Sequence, residues 1–149
     1  MHSLDVTRFG QTERLDVPAD EVITFPEGLV GLEHLRLFAL VDDPRVDPCR
    51  WLQSLDEPEL AFVVVDPRVV EPSYEPNAPA GDLWAIITLR RAPERSTVNL
   101  LAPIVIDPQG RVGHQVVLHA SGYALRHPIS SPPAPHAAAG GDEMGWRNA

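Results

Sequence analysis

Few residues of this chain have the types and the spacing that catalysis or metal binding requires. His114 and His119 are five residues apart, which places them on opposite faces of a strand and disfavours a shared metal site. His114 lies in an apolar run, where a lone histidine is typical of a core position. Cys49 is the single cysteine and lies near Trp51, which favours a buried thiol over a nucleophile. No phosphate loop, nucleophile elbow or zinc motif is present, so we predict no enzyme, no cofactor and no metal.

Carboxylates in turns are the other candidates for a function. Paired carboxylates can act as acid and base, but next to proline in turns they usually stay solvated. The net charge is −9 and all twelve positive residues are arginine, which disfavours direct nucleic-acid binding because phosphate neutralisation needs a basic patch. Two interpretations stay open, a solubilising surface charge and a contact with a partner that has a basic face. The candidate partner-binding residues are Glu27, Asp42, Asp43, Asp56, Glu57, Glu59 and Asn99.

Length and composition favour one ordinary globular domain. The chain has 149 residues, of which 44% are apolar and 22% charged. No apolar run approaches the roughly 18 residues of a membrane span, and the first ten residues do not have the pattern of a signal peptide. We therefore expect a cytoplasmic protein with no membrane contact.

Prolines divide the chain into short strand-like pieces. Residues 4–17 alternate around Gly10 as in a hairpin, and the run LAFVVV at residues 60–65 is apolar on both faces, which is typical of a central strand. The best helical pattern is one turn at GLEHL, residues 31–35. We predict an all-β fold, a small single-domain β-barrel-like arrangement of short antiparallel strands with at most one or two short helical turns. The domain spans residues 1–129, and the Pro/Ala/Gly-rich residues 130–149 are expected to form a disordered tail.

The stretch NLLAPIVIDPQGRVGHQVVL at residues 99–118 predicts a hairpin. Its turn is DPQG at residues 107–110, with proline at the second position and glycine at the exit. Alternation places Ile104 and Ile106 of the first strand, and Val112 and His114 of the second, in one buried layer. Pro103 cannot donate to a ladder, so an edge position or a bulge is expected there. Asn99 either ties a neighbouring loop by hydrogen bonds or contacts a partner at the rim of a surface.

Six blocks of the sequence resemble, in the same order, the motifs of one protein family. They are FPEGLVGL (residues 25–32), WLQSL (51–55), LAFVVV (60–65), NLLAPIVI (99–106), GHQVVL (113–118) and YALRHP (123–128). This ordered set resembles the FliW family of flagellar assembly factors over about residues 4–129. Two features depart from the family pattern. Leu32 stands where the family usually has phenylalanine, and a helical segment of the family is cut here to the loop at residues 77–82.

The resemblance implies a β-barrel-like protein without catalytic activity. It also implies two partners, newly made flagellin and the RNA-binding translational regulator CsrA. Binding to CsrA relieves repression of flagellin translation, so that synthesis is coupled to secretion. The acidic charge fits a CsrA-type partner, since an RNA-binding protein presents a basic face. The alternatives are a flagellin-binding chaperone without a CsrA role, and a small-molecule-binding barrel whose pocket is lined by His114 and Asn99.

Overall fold

Short strands make up most of the computed structural model, which describes residues 1–129; the predicted tail at residues 130–149 lies outside the described residues. In these residues no helix is long and apolar enough to cross a membrane. The strands are β1 (His2–Arg8), β2 (Gln11–Val17), β3 (Ile23–Thr24), β4 (Leu37–Val41), β5 (Arg50–Ser54), β6 (Ala61–Val65), β7 (Asp82–Thr88), β8 (Thr97–Val98), β9 (Ile104–Asp107), β10 (Val112–Gln115) and β11 (His127–Pro128).

Helical structure is limited to one short α-helix, α1 (Pro67–Val70), and three 3-10 turns at Ala19–Glu21, Pro44–Val46 and Pro93–Arg95. These are four short segments within residues 1–129, where the sequence predicted at most one or two short helical turns. The predicted turn at residues 31–35 is not helical. Two of the segments begin in the same way, because an aspartate caps the N-terminus and a proline follows at the first helical position. The Asp-Pro dipeptide was therefore the sequence signal for these turns.

Seven strands close into a barrel. The order of neighbours is β7, β6, β5, β4, β3, β10 and β9, and β9 pairs back onto β7. Every pairing is antiparallel except the short parallel contact of Thr24 with Val112 between β3 and β10. Closure leaves the barrel strands without a free edge, which confirms the predicted β-barrel-like fold.

Strand β6 is buried on both faces, as its composition predicted. Phe62 and Val64 pack into the barrel interior, in a cluster with Phe25, Phe38 and Leu52. The other face, Ala61, Val63 and Val65, packs into a second cluster outside the barrel. That outer cluster also contains Tyr74, Leu100, Leu118 and Ile129. The connections and the end of the described chain therefore form a second layer over one side of the barrel.

The first hairpin, β1–β2, forms a separate two-stranded sheet. Its two-residue turn consists of Phe9 and Gly10, with φ angles of 53° and 77°. Positive φ at both positions is the geometry that matches the twist of a hairpin. Leu4, Val6 and Val17 pack against Ala39 of β4 in a third apolar cluster, so the hairpin lies against the barrel wall.

A bulge lies at Pro103, which is one of the two arrangements that its position in the strand pattern predicted. The segment before it (β8) and the segment after it (β9) both pair with β7, through Val98 with Ile87 and Ile104 with Trp84. Residues 99–103 therefore oppose only residues 85–86 of β7. This extra length bends the sheet, so that β8 pairs with β11 while β9 pairs with β10.

The β9–β10 hairpin is confirmed, but its predicted register is wrong. Asp107 pairs with Val112, and His114 pairs with Val105 rather than sharing a layer with Ile104 and Ile106. The cause is the turn, in which Arg111 takes a φ of 55° and its N–H donates to the carbonyl of Asp107. This adds one residue to the connection. A one-residue shift turns every side chain of a strand to the other face, so His114 lies outside the barrel.

The packing of β6 predicts a large loss of stability for Phe62→Ala. Phe62 has no exposed surface, and its removal from the barrel interior should cost about 3–5 kcal/mol of the free energy of unfolding. Urea denaturation followed by fluorescence would measure this loss. Val69→Ala on α1 is the control, because Val69 is 59% exposed and its truncation should change stability by less than about 0.5 kcal/mol. A loss below about 1 kcal/mol for Phe62→Ala would contradict the described interior.

Candidate partner-binding surface

The FPEGLVGL motif forms a compact loop between β3 and β4. Phe25 and Leu29 are buried in the barrel interior, and Leu29 pairs with Leu32 in an isolated bridge. Gly28 has a φ of 66°, and a Cβ atom there would lie 2.6 Å from the backbone of Glu33. Only glycine fits such a position. Val30, at the tip of the loop, is 49% exposed.

Gln115 fixes this loop to the bulge. Its Oε1 accepts a hydrogen bond from the N–H of Val30 at 2.9 Å, and its Nε2 donates to the carbonyl of Ala102 at 3.1 Å. Nearby, Gly113 lies so close to the ring of Phe25 that a Cβ atom would be 2.4 Å away. Three separate sequence motifs therefore meet at one end of the barrel. Sequence reasoning missed the role of Gln115, and the only signal was that it lies in one of these motifs.

The loop at residues 55–60 lies at the same end of the barrel as the FPEGLVGL loop. The strand pairing shows this. Leu37, at the start of β4, pairs with Thr24 at the end of β3, and the next residue, Phe38, pairs with Ser54 at the end of β5. Together the two loops carry five carboxylates, which we call the acidic end: Glu27, Glu33, Asp56, Glu57 and Glu59. Glu27 is 84% exposed, with its Oε1 3.5 Å from Nδ1 of His114. Glu57 is half-buried and contacts His34 at 3.1 Å.

Asp56 differs from its neighbours in having a structural role. It is exposed, as expected for a turn, but its Oδ2 accepts hydrogen bonds from the N–H groups of Arg36 and Leu37 at 2.7 and 2.9 Å. These bonds join the two loops of the acidic end. Glu59 is also exposed and forms no hydrogen bond or ion pair with residues 1–129. Glu27 and Glu59 are therefore the carboxylates most available to a partner.

Asp42 and Asp43 lie at the opposite end of β4 from Asp56, so the acidic turns do not form one cluster. Asp42 is exposed and pairs with Arg50 at 2.6 Å. The sequence predicted that Asp43 is a solvated turn residue. This prediction is wrong, because Asp43 is only 8% exposed. It accepts hydrogen bonds from Arg45 and from Nε1 of Trp51. Burial alone would raise the pKa of Asp43, but these hydrogen bonds outweigh it and lower the pKa to about 2.

Asn99 is 8% exposed and is used within the bulge. Its Oδ1 accepts hydrogen bonds from the N–H groups of Leu101 and Ala102 at 3.1 and 2.9 Å, which favours the structural alternative stated above. His114 is half-exposed on the outside of the barrel. These two residues therefore do not line an apolar interior, and the small-molecule hypothesis loses the observation on which it rested.

Cys49 is buried, and burial raises the pKa of its thiol to about 12. A thiol with so high a pKa is not a nucleophile near neutral pH. Within residues 1–129, no group of three or more His, Cys, Asp or Glu side chains is arranged to hold a metal ion.

Comparison with known proteins agrees with the ordered motifs and the barrel. A family model described as FliW protein matches residues 4–129. The chain belongs to the FliW family. It is 35% identical over 139 residues to the flagellar assembly factor FliW of Bdellovibrio bacteriovorus, covering 85% of this chain and 78% of that protein. It is 36% identical over 138 residues to the FliW of Thermotoga sp. strain RQ2, covering 83% and 91%.

The fold is also that of a solved FliW protein. The crystal structure of a flagellar assembly factor FliW superposes with a TM-score of 0.73 at 27% identity, covering 85% of this chain and 95% of the other. In the present chain, Leu32 is partly buried against the barrel interior, which is compatible with its replacing phenylalanine. The loop at residues 77–82 leads into β7 at Asp82 and contains no helix.

The structure predicts that truncation of Asp56 and truncation of Glu59 have different effects on the stability of the protein. Asp56→Ala removes the acceptor of two backbone N–H groups and should lower the free energy of unfolding by about 1–2 kcal/mol. Glu59→Ala is the matched control in the same loop and should change stability by less than about 0.5 kcal/mol. Urea denaturation of both variants measures the difference. Equal stabilities would contradict the structural role of Asp56.

The buried carboxylate of Asp43 predicts a specific loss of stability in acid. Its pKa of about 2 lies below the ordinary value of 3.8, so its contribution of about 2 kcal/mol is present above pH 3.8 and is lost as the pH falls toward 2. Asp43→Asn should be less stable than wild type near neutral pH and should converge with it in acid. Asp42→Asn, at the exposed neighbouring position, should change stability by less than about 1 kcal/mol. Parallel pH profiles for wild type and Asp43→Asn would overturn this assignment.

Proposed function

We propose that this member of the FliW family is a cytoplasmic, non-catalytic factor that binds flagellin and a CsrA-type translational regulator. Capture by flagellin would free the regulator, so that flagellin synthesis follows secretion. Membership of a family of flagellar assembly factors supports the flagellar part of this proposal. The observation that supports a basic partner is the acidic end, where five carboxylates lie on two adjoining loops.

The acidic end has the composition of a protein-binding surface. Val30 is 49% exposed at the tip of the FPEGLVGL loop, and Val117, two residues beyond Gln115, is 38% exposed. Exposed apolar residues near a set of charged residues are typical of an interface with an apolar centre and a polar rim. Glu27 and Glu59 supply rim charges. The loop is held rigid by Gly28 and Gln115, so its exposed residues are presented in a fixed arrangement, which reduces the entropic cost of binding.

Electrostatic complementarity is consistent with the choice of a basic partner. The chain carries a net charge of −9, and an RNA-binding regulator needs a basic face to neutralise phosphates. Opposite charges on two surfaces increase the rate of association and disfavour partners of the wrong sign. The acidic surface of this protein would therefore attract the same face of the regulator that attracts RNA.

Direct mixing tests the proposal. The full chain should form a complex with the flagellin of the same organism, and a second complex with its CsrA-type regulator, when the mixtures are analysed by size-exclusion chromatography at micromolar concentration. Two non-interactions would overturn the proposal. A complex with flagellin but not with the regulator would support the alternative of a flagellin-binding chaperone. The shortened loop at residues 77–82 motivates that alternative, because a partner surface of longer relatives would be lost there.

Charge reversal at the acidic end should slow association with the regulator. Glu27→Arg together with Glu59→Arg removes rim charges that have no structural hydrogen bond to a backbone group, so folding should be retained. We expect a slower association rate and a weaker dependence of that rate on ionic strength. Biosensor kinetics at low and high salt would measure both.

The control for this experiment is Asp82→Arg, which reverses an exposed carboxylate at the other end of the barrel and is compared with the single reversal Glu59→Arg, since both change the net charge by the same amount. It changes the net charge of the protein without changing the acidic end, so its effect reports long-range attraction alone. Equal kinetics for the two reversals would place the regulator's contact elsewhere on the protein.

A further inference from the structure

Four arginines surround one open pocket next to the outer layer of the barrel. Arg90, Arg91 and Arg95 come from the connection between β7 and β8, and Arg126 directly precedes β11. With Leu89 and Thr97 they line a cavity of about 600 Å³, which we call the arginine pocket. These are four of the twelve arginines of the chain. No carboxylate among the described residues lines the cavity, although the chain has 21 acidic residues.

The backbone holds these arginines at the pocket. The N–H of Arg90 donates to the hydroxyl of Ser96 at 3.0 Å, and Ser96 is itself 1% exposed. The N–H of Arg95 donates to the carbonyl of Ala92. On the other side, β11 pairs with β8 in antiparallel register, His127 with Val98 and Pro128 with Thr97, so Arg126 shares a face with Thr97 and lines the same cavity. Distant parts of the sequence are therefore held together at one cavity.

Three of the positive charges at the pocket have no partner within residues 1–129. The guanidinium groups of Arg90, Arg95 and Arg126 form no ion pair and no hydrogen bond with residues 1–129. By contrast, the other guanidinium groups within residues 1–129 have protein partners. These are carboxylates for Arg14, Arg45 and Arg50 and neutral oxygens for Arg8, Arg36, Arg68 and Arg111. Positive charges that lie close together repel one another, and a bound anion would reduce that repulsion.

We infer that the arginine pocket binds a multiply charged oxyanion, a ligand that carries phosphate or several carboxylates. Guanidinium groups present planar pairs of N–H donors that match both groups, and such charge-assisted hydrogen bonds are the strong ones. A cavity of about 600 Å³ lies within the usual range for small-ligand sites. The arginine pocket is formed by other loops than those that carry the five carboxylates of the acidic end, and this inference does not depend on the proposed binding of flagellin or a regulator.

The oxyanion has two possible sources. It can be a free ligand, or it can be the carboxylate pair Asp142 and Glu143 of the same chain. Asp142 follows Ile129 by 13 residues, and that length of chain can span roughly 40 Å. Ile129, the last described residue, directly follows β11, which Arg126 of the pocket precedes. The two sources share one chemistry, and binding measurements on the full chain can distinguish them.

The test is calorimetric titration of the full chain with pyrophosphate and, separately, with citrate, at constant ionic strength. We expect saturable binding of at least one of them, and the preferred probe identifies phosphate or carboxylate chemistry. Arg95→Gln and Arg126→Gln should each weaken binding roughly tenfold. Both residues are exposed, so the variants should fold. Arg14→Gln is the matched control, an exposed arginine outside the pocket that should bind like wild type.

A second variant, Asp142→Asn with Glu143→Gln, identifies the source. Unchanged pyrophosphate or citrate binding in this variant supports a free ligand. Binding that is absent in wild type but appears in this variant, and is lost again with Arg126→Gln, supports occupation by the chain's own carboxylates. Failure of both probes at millimolar concentration in both wild type and this variant would overturn the inference. Equal weakening by Arg14→Gln and Arg126→Gln would also overturn it, because binding would then be non-specific.

Discussion

Strand β6 has no polar side chain, so both of its faces have to be covered, and this requirement determines how the rest of the chain is arranged. The barrel supplies one cover, because Phe62 and Val64 point into its interior. A barrel wall usually faces solvent on its outer side, yet here Val63 and Val65 need a second cover. The chain supplies it with the loop that carries Tyr74 and with the segments after β8. The hydroxyl of Tyr74 donates to the carbonyl of Leu100 at 2.7 Å, which joins two parts of that outer layer.

The bulge at residues 99–103 makes both covers possible within one continuous segment. Before the bulge the chain joins the outer layer through β8 and β11, and after it the chain closes the barrel through β9 and β10. The bulge also exposes the carbonyl of Ala102, which Gln115 uses to hold the FPEGLVGL loop. The candidate partner-binding loop is therefore positioned by the same irregularity that closes the barrel. Asn99 satisfies two N–H groups that the bulge removes from the ladder, which explains a polar residue in an apolar run.

Local sequence patterns predicted the features that depend on local chemistry. The two-sided strand β6, the hairpin at Gly10 and the bulge at Pro103 each follow from composition or backbone restriction. Local patterns did not predict the face of the sheet on which His114 lies, because Arg111, a single residue in the left-handed region, changed the register of a whole strand. Local sequence patterns also could not predict the burial of Asp43, since its partner Trp51 lies on the other side of the β4–β5 connection. The acidic turns are distributed between two ends of the barrel. This distribution depends on strand register, which cannot be deduced from the positions of the turns in the sequence.

Strand register also brings the two charged regions to the same end of the molecule. Ala61 pairs with Gln53 and Val63 pairs with Ile87, so the β5–β6 loop of the acidic end and the β7–β8 connection of the arginine pocket leave neighbouring strands on one side. An anion in the arginine pocket would cancel positive charge there and make the potential at this end more negative. That change would favour a basic partner at the acidic end. By linkage, a bound basic partner would favour the anion to the same extent.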